Sequence, residues 1–260
     1  MIRKYLTSIV PLIATLIIIS FYKNYNYHQI FPKNDLWKQD CLTKDSSREE
    51  MFNNVIDAAY EIYLPIAEKF GDKKLVINRK WDDPTVNANC SRLWGKVTIN
   101  MYGGLARRPE INAEGFALVL CHELSHAYGG KPYISSWRKL SAEGQADYMG
   151  AKFCLHRILK KLNLEDDLES SDYIKEVCLN SFNTSERSVL CEQSLIGGIS
   201  LGKLLATLTN QKIPQYETPD PTIVDSTLTS YPDTIQCRLD TYLKGSLQQE
   251  RPLCWYHPSK

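Results

Sequence analysis

Residues 121–126 read Cys121-His122-Glu123-Leu124-Ser125-His126, and the interpretation of the whole 260-residue chain turns on them. Two histidines four positions apart on a helix are separated by about 400° of rotation and one turn of rise, so both imidazoles leave the same face. Neighbouring ligands of a tetrahedral metal ion need that spacing. Glu123 falls in the same arc and can reach a metal-bound water without ligating the ion. Chance gives H-E-x-x-H roughly 0.005 times in a chain of this composition, so accident is the weaker reading. The helix is well delimited: Asn112 can cap its start, Ile111 and Phe116 can staple its entry, and Gly129-Gly130 ends it after Tyr128.

A catalytic zinc ion takes three protein ligands and keeps one open position, so a third ligand is required. Ser141-Ala142-Glu143-Gly144-Gln145-Ala146-Asp147 supplies a candidate at the start of a second helix expected from near Ser141 to about Lys161. Glu143 can ligate, while Asp147, one turn later, can accept an N–H from a ligating imidazole and fix its tautomer. Gly150 and Ala151 are small enough to let the two helices approach closely. The competing reading is that Glu143 and Asp147 form an ordinary solvated acidic face. His28, His156 and His257 have no ligand-like spacing.

Outward from this centre, a helix is expected from near Ser46 or Ser47, with Phe52, Val55, Ile56, Ala59 and Tyr63 on one stripe and Pro65 kinking or ending it. Leu75-Val76-Ile77 reads as a short strand. Val97-Thr98-Ile99-Asn100-Met101 alternates as a half-buried strand would. The acidic stretch from Glu165 to Asp172 reads as a solvated connection, Leu195 to Leu208 as helix, Pro214 to Pro221 as extended chain, and a last helix follows Pro232.

At the N-terminus, Arg3 and Lys4 precede an uncharged run from Tyr5 to Tyr22 that can nearly cross a hydrocarbon core of ~30 Å. Residues 1–22 are therefore expected to be a signal anchor or a signal peptide, with a buried core helix as the alternative. Residues 23–45 read as a tether, and 46–260 as one catalytic domain. The chain would then be membrane-anchored with that domain in the periplasm or extracellular space, or secreted if the segment is cleaved. A formal net charge of +1 excludes the basic footprint of a nucleic-acid-binding protein. The eight cysteines are even in number and contain no Cys-x-x-Cys pair, which favours disulfides in an oxidising compartment over thiolate metal ligands. Short separations favour Cys178 with Cys191 and Cys237 with Cys254. Cys154 lies on the helix face turned to the metal helix, where Cys121 is a possible partner.

These residues resemble the gluzincin peptidases, specifically the clan of HtpX-like and CAAX prenyl endopeptidases with their small soluble relatives. The similarity runs from about Val86 to Arg238. Val86-Asn87-Ala88 is similar to the family's Asn-Ala segment, Val97 to Met101 to its edge strand, and Gly104-Leu105 to its Gly-Leu before the metal helix. Glu143-Gly144-Gln145-Ala146-Asp147-Tyr148-Met149-Gly150 resembles its E-x-x-A-D-x-x-G. The resemblance implies an α+β, zincin-like (minigluzincin) domain, mostly helical, with a small sheet whose edge strand borders the active site. It implies one Zn²⁺ held by His122, His126 and Glu143, with Glu123 as general base. A protein or peptide substrate would lie extended along Val97, Thr98, Ile99, Asn100 and Met101, although periodicity alone allows an ordinary interior strand.

Ser230-Tyr231-Pro232 and Arg238 resemble the family's late His-Pro segment and downstream Arg, which implies that Tyr231 and Arg238 help to stabilise the tetrahedral intermediate. Tyr231 departs from the expected His, and the spacing to Arg238 is one residue long. The alternative is a Tyr231 that caps a turn and an Arg238 on a solvated helix face. Relatives with several membrane spans differ from this chain, in which only the N-terminal segment is apolar enough. The expected function is a zinc-dependent endopeptidase of envelope or extracellular proteins. The alternatives are a non-hydrolytic, chaperone-like zinc module and a metal-dependent cell-wall amide hydrolase.

Overall fold

The computed structural model describes residues 28–31, 33–36, 45–164 and 170–258. The architecture is α+β: a four-stranded sheet and a two-stranded hairpin are packed among helices. Helix α1 (Ser46–Lys69) is capped by Asp45, one residue before the expected serines; its carboxylate accepts from Ser47 N at 3.0 Å and Arg48 N at 3.3 Å. The predicted stripe is buried. Pro65 does not end the helix, which continues one further turn to Lys69, as packing of Tyr63 and Ala67 outweighs one missing N–H donor.

The larger sheet has the order β1 (His28–Gln29), β3 (Ala88–Leu93), β4 (Lys96–Tyr102), β2 (Lys74–Lys80). β3 and β4 form a hairpin through Trp94 and Gly95, both left-handed at φ 49° and 77°, the backbone that a two-residue turn matched to strand twist requires. β2 runs parallel to β4, from Lys74 opposite Lys96 to Lys80 opposite Tyr102. β4 is therefore an interior strand, and the expectation that Val97 to Met101 offer an edge to a substrate is corrected: both of its hydrogen-bonding edges are taken. Val97, Ile99 and Met101 are buried in the core. Asn100 belongs to a polar ladder, accepting from Asn78 at 2.9 Å and donating to Asn89 at 2.7 Å.

The tether assignment is also corrected for residues 28–31. β1 pairs antiparallel with β3, and Ile30 and Phe31 are buried. A two-residue strand has no periodicity to read; the apolar pair Ile30-Phe31 among polar neighbours was the signal.

After a single turn, α2 (Gly103–Ala106), comes α3 (Ala113–Tyr128), in which every residue from Glu114 onward is buried. Asn112 caps it, accepting from Gly115 N at 2.8 Å, and Ile111 and Phe116 lie buried at its entry. The β5–β6 hairpin (Tyr133–Ser135, Leu140–Ser141) leads to α4 (Glu143–Met149), which continues through a π-helical segment, Gly150–Leu155, into α5 (His156–Leu162). A Cβ added at Gly150 would stand 3.2 Å from the Cys121 carbonyl carbon and from His122 N, so glycine permits the helix approach foreseen from sequence.

Helix α6 (Asp172–Ser181), capped by Ser171, was not foreseen; only its first residue lay in the acidic stretch, of which residues 165–169 lie outside the described residues. Helix α7 (Ser185–Thr209) is long and apolar enough to cross a membrane, contrary to the expectation that only the N-terminal segment is; 67% of its most apolar window is buried inside the protein. The last helix is α8 (Ile235–Ser246). Disulfides join Cys121 to Cys154, Cys178 to Cys191 and Cys237 to Cys254, the three pairings considered from sequence, and they are compatible with an oxidising compartment. The N-terminal apolar segment lies outside the described residues.

Candidate metal centre

α3 sets the His122 and His126 rings one turn apart, with centroids 4.5 Å apart and planes at 87°. Each Nδ1 faces an acceptor. His122 Nδ1–H donates to Asp147 Oδ1 at 2.6 Å, and His126 Nδ1–H donates to the Ser141 carbonyl at 2.9 Å. Both Nε2 atoms are thereby turned to a common point, where Glu143 Oε2 lies 3.3 Å from His122 Nε2 and 3.4 Å from His126 Nε2. Ligands ~2.0–2.1 Å from a tetrahedral ion stand about 3.3–3.4 Å from one another, so the three atoms are spaced as a metal requires. His122 and His126 are fully buried and Glu143 is nearly so, and the donor set of two imidazoles and a carboxylate fits a divalent ion of zinc's kind.

Glu123 adjoins this triad. Both of its carboxylate oxygens are buried without a hydrogen-bond partner among the described residues, a costly state for a group with no task. Burial pushes its carboxyl up to about 8, with His122 opposing and Glu143 adding. A cation at the triad would pull in the other direction.

Asp147 is the hub of the support. Its Oδ1 accepts from His122, from Arg238 Nη2 at 2.9 Å and from the Tyr242 hydroxyl at 3.0 Å; its Oδ2 accepts from Arg238 Nε at 2.8 Å. Burial works against its charge, but Arg238 and His122 outweigh this and hold the carboxyl down at about 2. Arg238 is buried, which rules out the solvated-face alternative, and three of its five N–H donors are engaged: Nε and Nη2 with Asp147, and Nη1 with the Ile30 carbonyl at 3.4 Å. In this arrangement Arg238 acts through Asp147 on His122. Tyr242 was missed, although it follows Arg238 by four residues and so shares its helix face.

Tyr231 does stand beside the centre. Its ring stacks on the Arg238 guanidinium at 5.0 Å, and the neighbouring Thr229 carbonyl accepts from Glu143 N at 3.5 Å. Burial raises its hydroxyl well above the ordinary value, and Glu143 adds to this.

β3 runs near Glu123: Cys90, within it, feels the Glu123 charge. The outer edge of β3 carries the chain's own N-terminal residues. Ile30 N donates to Ala88 O at 3.3 Å, and the Asn87 side chain clasps the Phe31 backbone in both directions, at 3.2 and 3.0 Å. Compared with protein-family models, with curated proteins and with solved structures, the chain shows no match.

Proposed function

We propose that this chain is a zinc-dependent endopeptidase with a zincin-like catalytic domain of the HtpX-like and CAAX prenyl endopeptidase kind, holding one zinc ion at His122, His126 and Glu143. The observation that carries the reading is the approach of three buried ligand atoms to 3.3–3.4 Å beside an unpartnered buried carboxylate, Glu123. A structural acid pair would need neither the convergence nor the orphaned base.

A zinc ion held there would supply Lewis acidity towards a scissile carbonyl and a water of lowered pKa. Glu123 takes the proton from the attacking water and delivers it to the leaving amine, so no acyl-enzyme forms. Asp147 and Arg238 hold His122 in the Nδ1–H tautomer, and the Ser141 carbonyl does the same for His126. Tyr231 donates its hydroxyl to the developing oxyanion. The substrate pairs as an extended strand with the outer edge of β3 instead of β4, displacing residues 28–30 as it binds. With the run Tyr5 to Tyr22 read as an anchor or signal peptide, the domain works outside the cytoplasm.

Metal analysis of purified protein, together with casein and peptidoglycan hydrolysis, tests this. One zinc per chain is expected in the parent and in Glu123→Gln, loss of zinc in His126→Ala, and casein hydrolysis reduced 10² to 10⁴-fold in Glu123→Gln. A chain without zinc, or casein hydrolysis unchanged in Glu123→Gln, defeats the proposal. Cleavage of peptidoglycan alone moves the activity to cell-wall amides.

A further inference from the structure

Three loops meet at one end of the larger sheet. β2 and β4 both start there, at Lys74 and Lys96, and β3 ends there at Leu93. Lys73 N donates to the Gly95 carbonyl at 2.6 Å, which ties the loop after α1 to the β3–β4 turn. Arg92 ties in the third loop: Nη1 donates to the Lys139 carbonyl at 3.1 Å, and Nη2 pairs with Asp72 at 2.7 Å. Its guanidinium also lies over the Tyr128 ring, which Phe70 meets edge-on at 5.3 Å.

The tips of these loops are unusual. Trp94 is 81% exposed and Trp137 72%, the highest values among the large hydrophobic side chains of the described residues, and Phe70 is 57% exposed. Lys73, Lys96 and Lys139 are exposed beside them, and the Arg138 guanidinium stacks on Trp137 at 4.6 Å. The one acid in residues 70–73, 94–96 and 137–139 is Asp72, already neutralised by Arg92. Exposed tryptophan among lysines suits a bilayer interface, where the amphipathic ring sits at headgroup depth and the ammonium groups meet lipid phosphates.

The course of the chain points the same way. β1 is antiparallel to β3, with His28 opposite Cys90 and Gln29 opposite Asn89, so β1, followed back from Gln29 to His28, points towards the Trp94 end. The apolar run closes at Tyr22, and the few residues between it and His28 can span at most ~20 Å even fully extended. We propose that this end of the domain, with Phe70, Trp94 and Trp137 as anchors and Lys73, Lys96 and Lys139 as phosphate contacts, rests on the anionic bilayer that the N-terminal segment enters. This rests on the membrane reading of Tyr5 to Tyr22 and is independent of the metal. His126 lies two residues before Tyr128, so the metal ligand and the ring beneath Arg92 belong to the same end of α3.

The test uses the full chain in phosphatidylcholine vesicles with and without phosphatidylglycerol, their acyl chains brominated to quench nearby tryptophan. Wild-type emission is expected to be quenched, more strongly with phosphatidylglycerol and less at high salt. The Trp94→Ser/Trp137→Ser variant should lose most of the quenched emission while keeping its circular dichroism. Equal quenching in variant and wild type overturns the docking surface while leaving the anchor intact. A full chain that fails to float with vesicles overturns both. Neither outcome bears on zinc or hydrolysis.

Discussion

Arg238 and Asp147, 91 residues apart, meet through two hydrogen bonds of 2.8 and 2.9 Å inside the protein, and the same carboxylate receives the His122 Nδ1–H at 2.6 Å. A buried arginine paired end to end with a buried aspartate fixes the carboxylate in both position and charge. The imidazole that leans on it is fixed in turn.

Arg238→Gln should therefore weaken metal binding by roughly 10 to 100-fold without touching a ligand. Tyr242→Phe removes one neutral donor from the same carboxylate and should cost less. Competition against a chromogenic zinc chelator measures both; unaltered affinity in Arg238→Gln would remove the arginine from the support of His122.

Tyr231→Phe deletes a hydroxyl and leaves the ring stacked on Arg238. If the phenol donates to the oxyanion, turnover of a peptide substrate should fall by about 10² to 10³ with KM little changed. Equal turnover in the two proteins would confine Tyr231 to packing.

Because Ile30 and Phe31 are buried along β3, a substrate strand pairing there would compete with them for one edge. A charge at Ile30 makes that seat unfavourable. Ile30→Asp should speed both removal of zinc by a chelator and casein hydrolysis, with the melting temperature followed as a control. Unchanged rates of both in a folded variant would mean that the edge is not on the route to the centre.

His156 is held down at about 4 by burial, with Arg187 adding, and its ring meets Phe182 edge-on at 6.4 Å. A histidine with a folded pKa below its unfolded value of ~6.5 contributes stability that is complete above that value. It is lost as pH falls towards 4, because the unfolded chain binds the proton first. The stability of the wild type should decline over that window by up to about 1.4 kcal/mol per pH unit from this group. Denaturant titrations of His156→Leu should show a shallower decline; an identical pH dependence would exclude the imidazole as its source.

Sequence carried the centre because its logic is local. His122, Glu123 and His126 share one helical turn, and Glu143 and Asp147 share another. The disulfides were legible for the same reason, as short separations or facing helix surfaces. Sheet order was not legible, since the alternation of Val97 to Met101 serves an interior strand as well as an edge. Arg238 was legible as a site residue but its pairing with Asp147 was not, because only tertiary contact brings together two residues 91 positions apart. Of the two readings of Pro65, that it ends the helix fails, because packing outweighs a single lost N–H.

Trp255 has one more consequence. Fully buried, it lies against Gly144, where even a methyl group would stand 2.2 Å from the indole, and its carbonyl receives Leu228 N at 2.9 Å, just ahead of Thr229 and Tyr231. The turn that carries Glu143 is thus backed by residues translated more than a hundred positions later, in the segment that Cys254 fastens to Cys237. Domains assemble as units during synthesis. A ribosome that has delivered both histidines and Glu143 has not yet delivered the wall behind them, so the packing around Glu143 can be completed only after most of the chain has emerged.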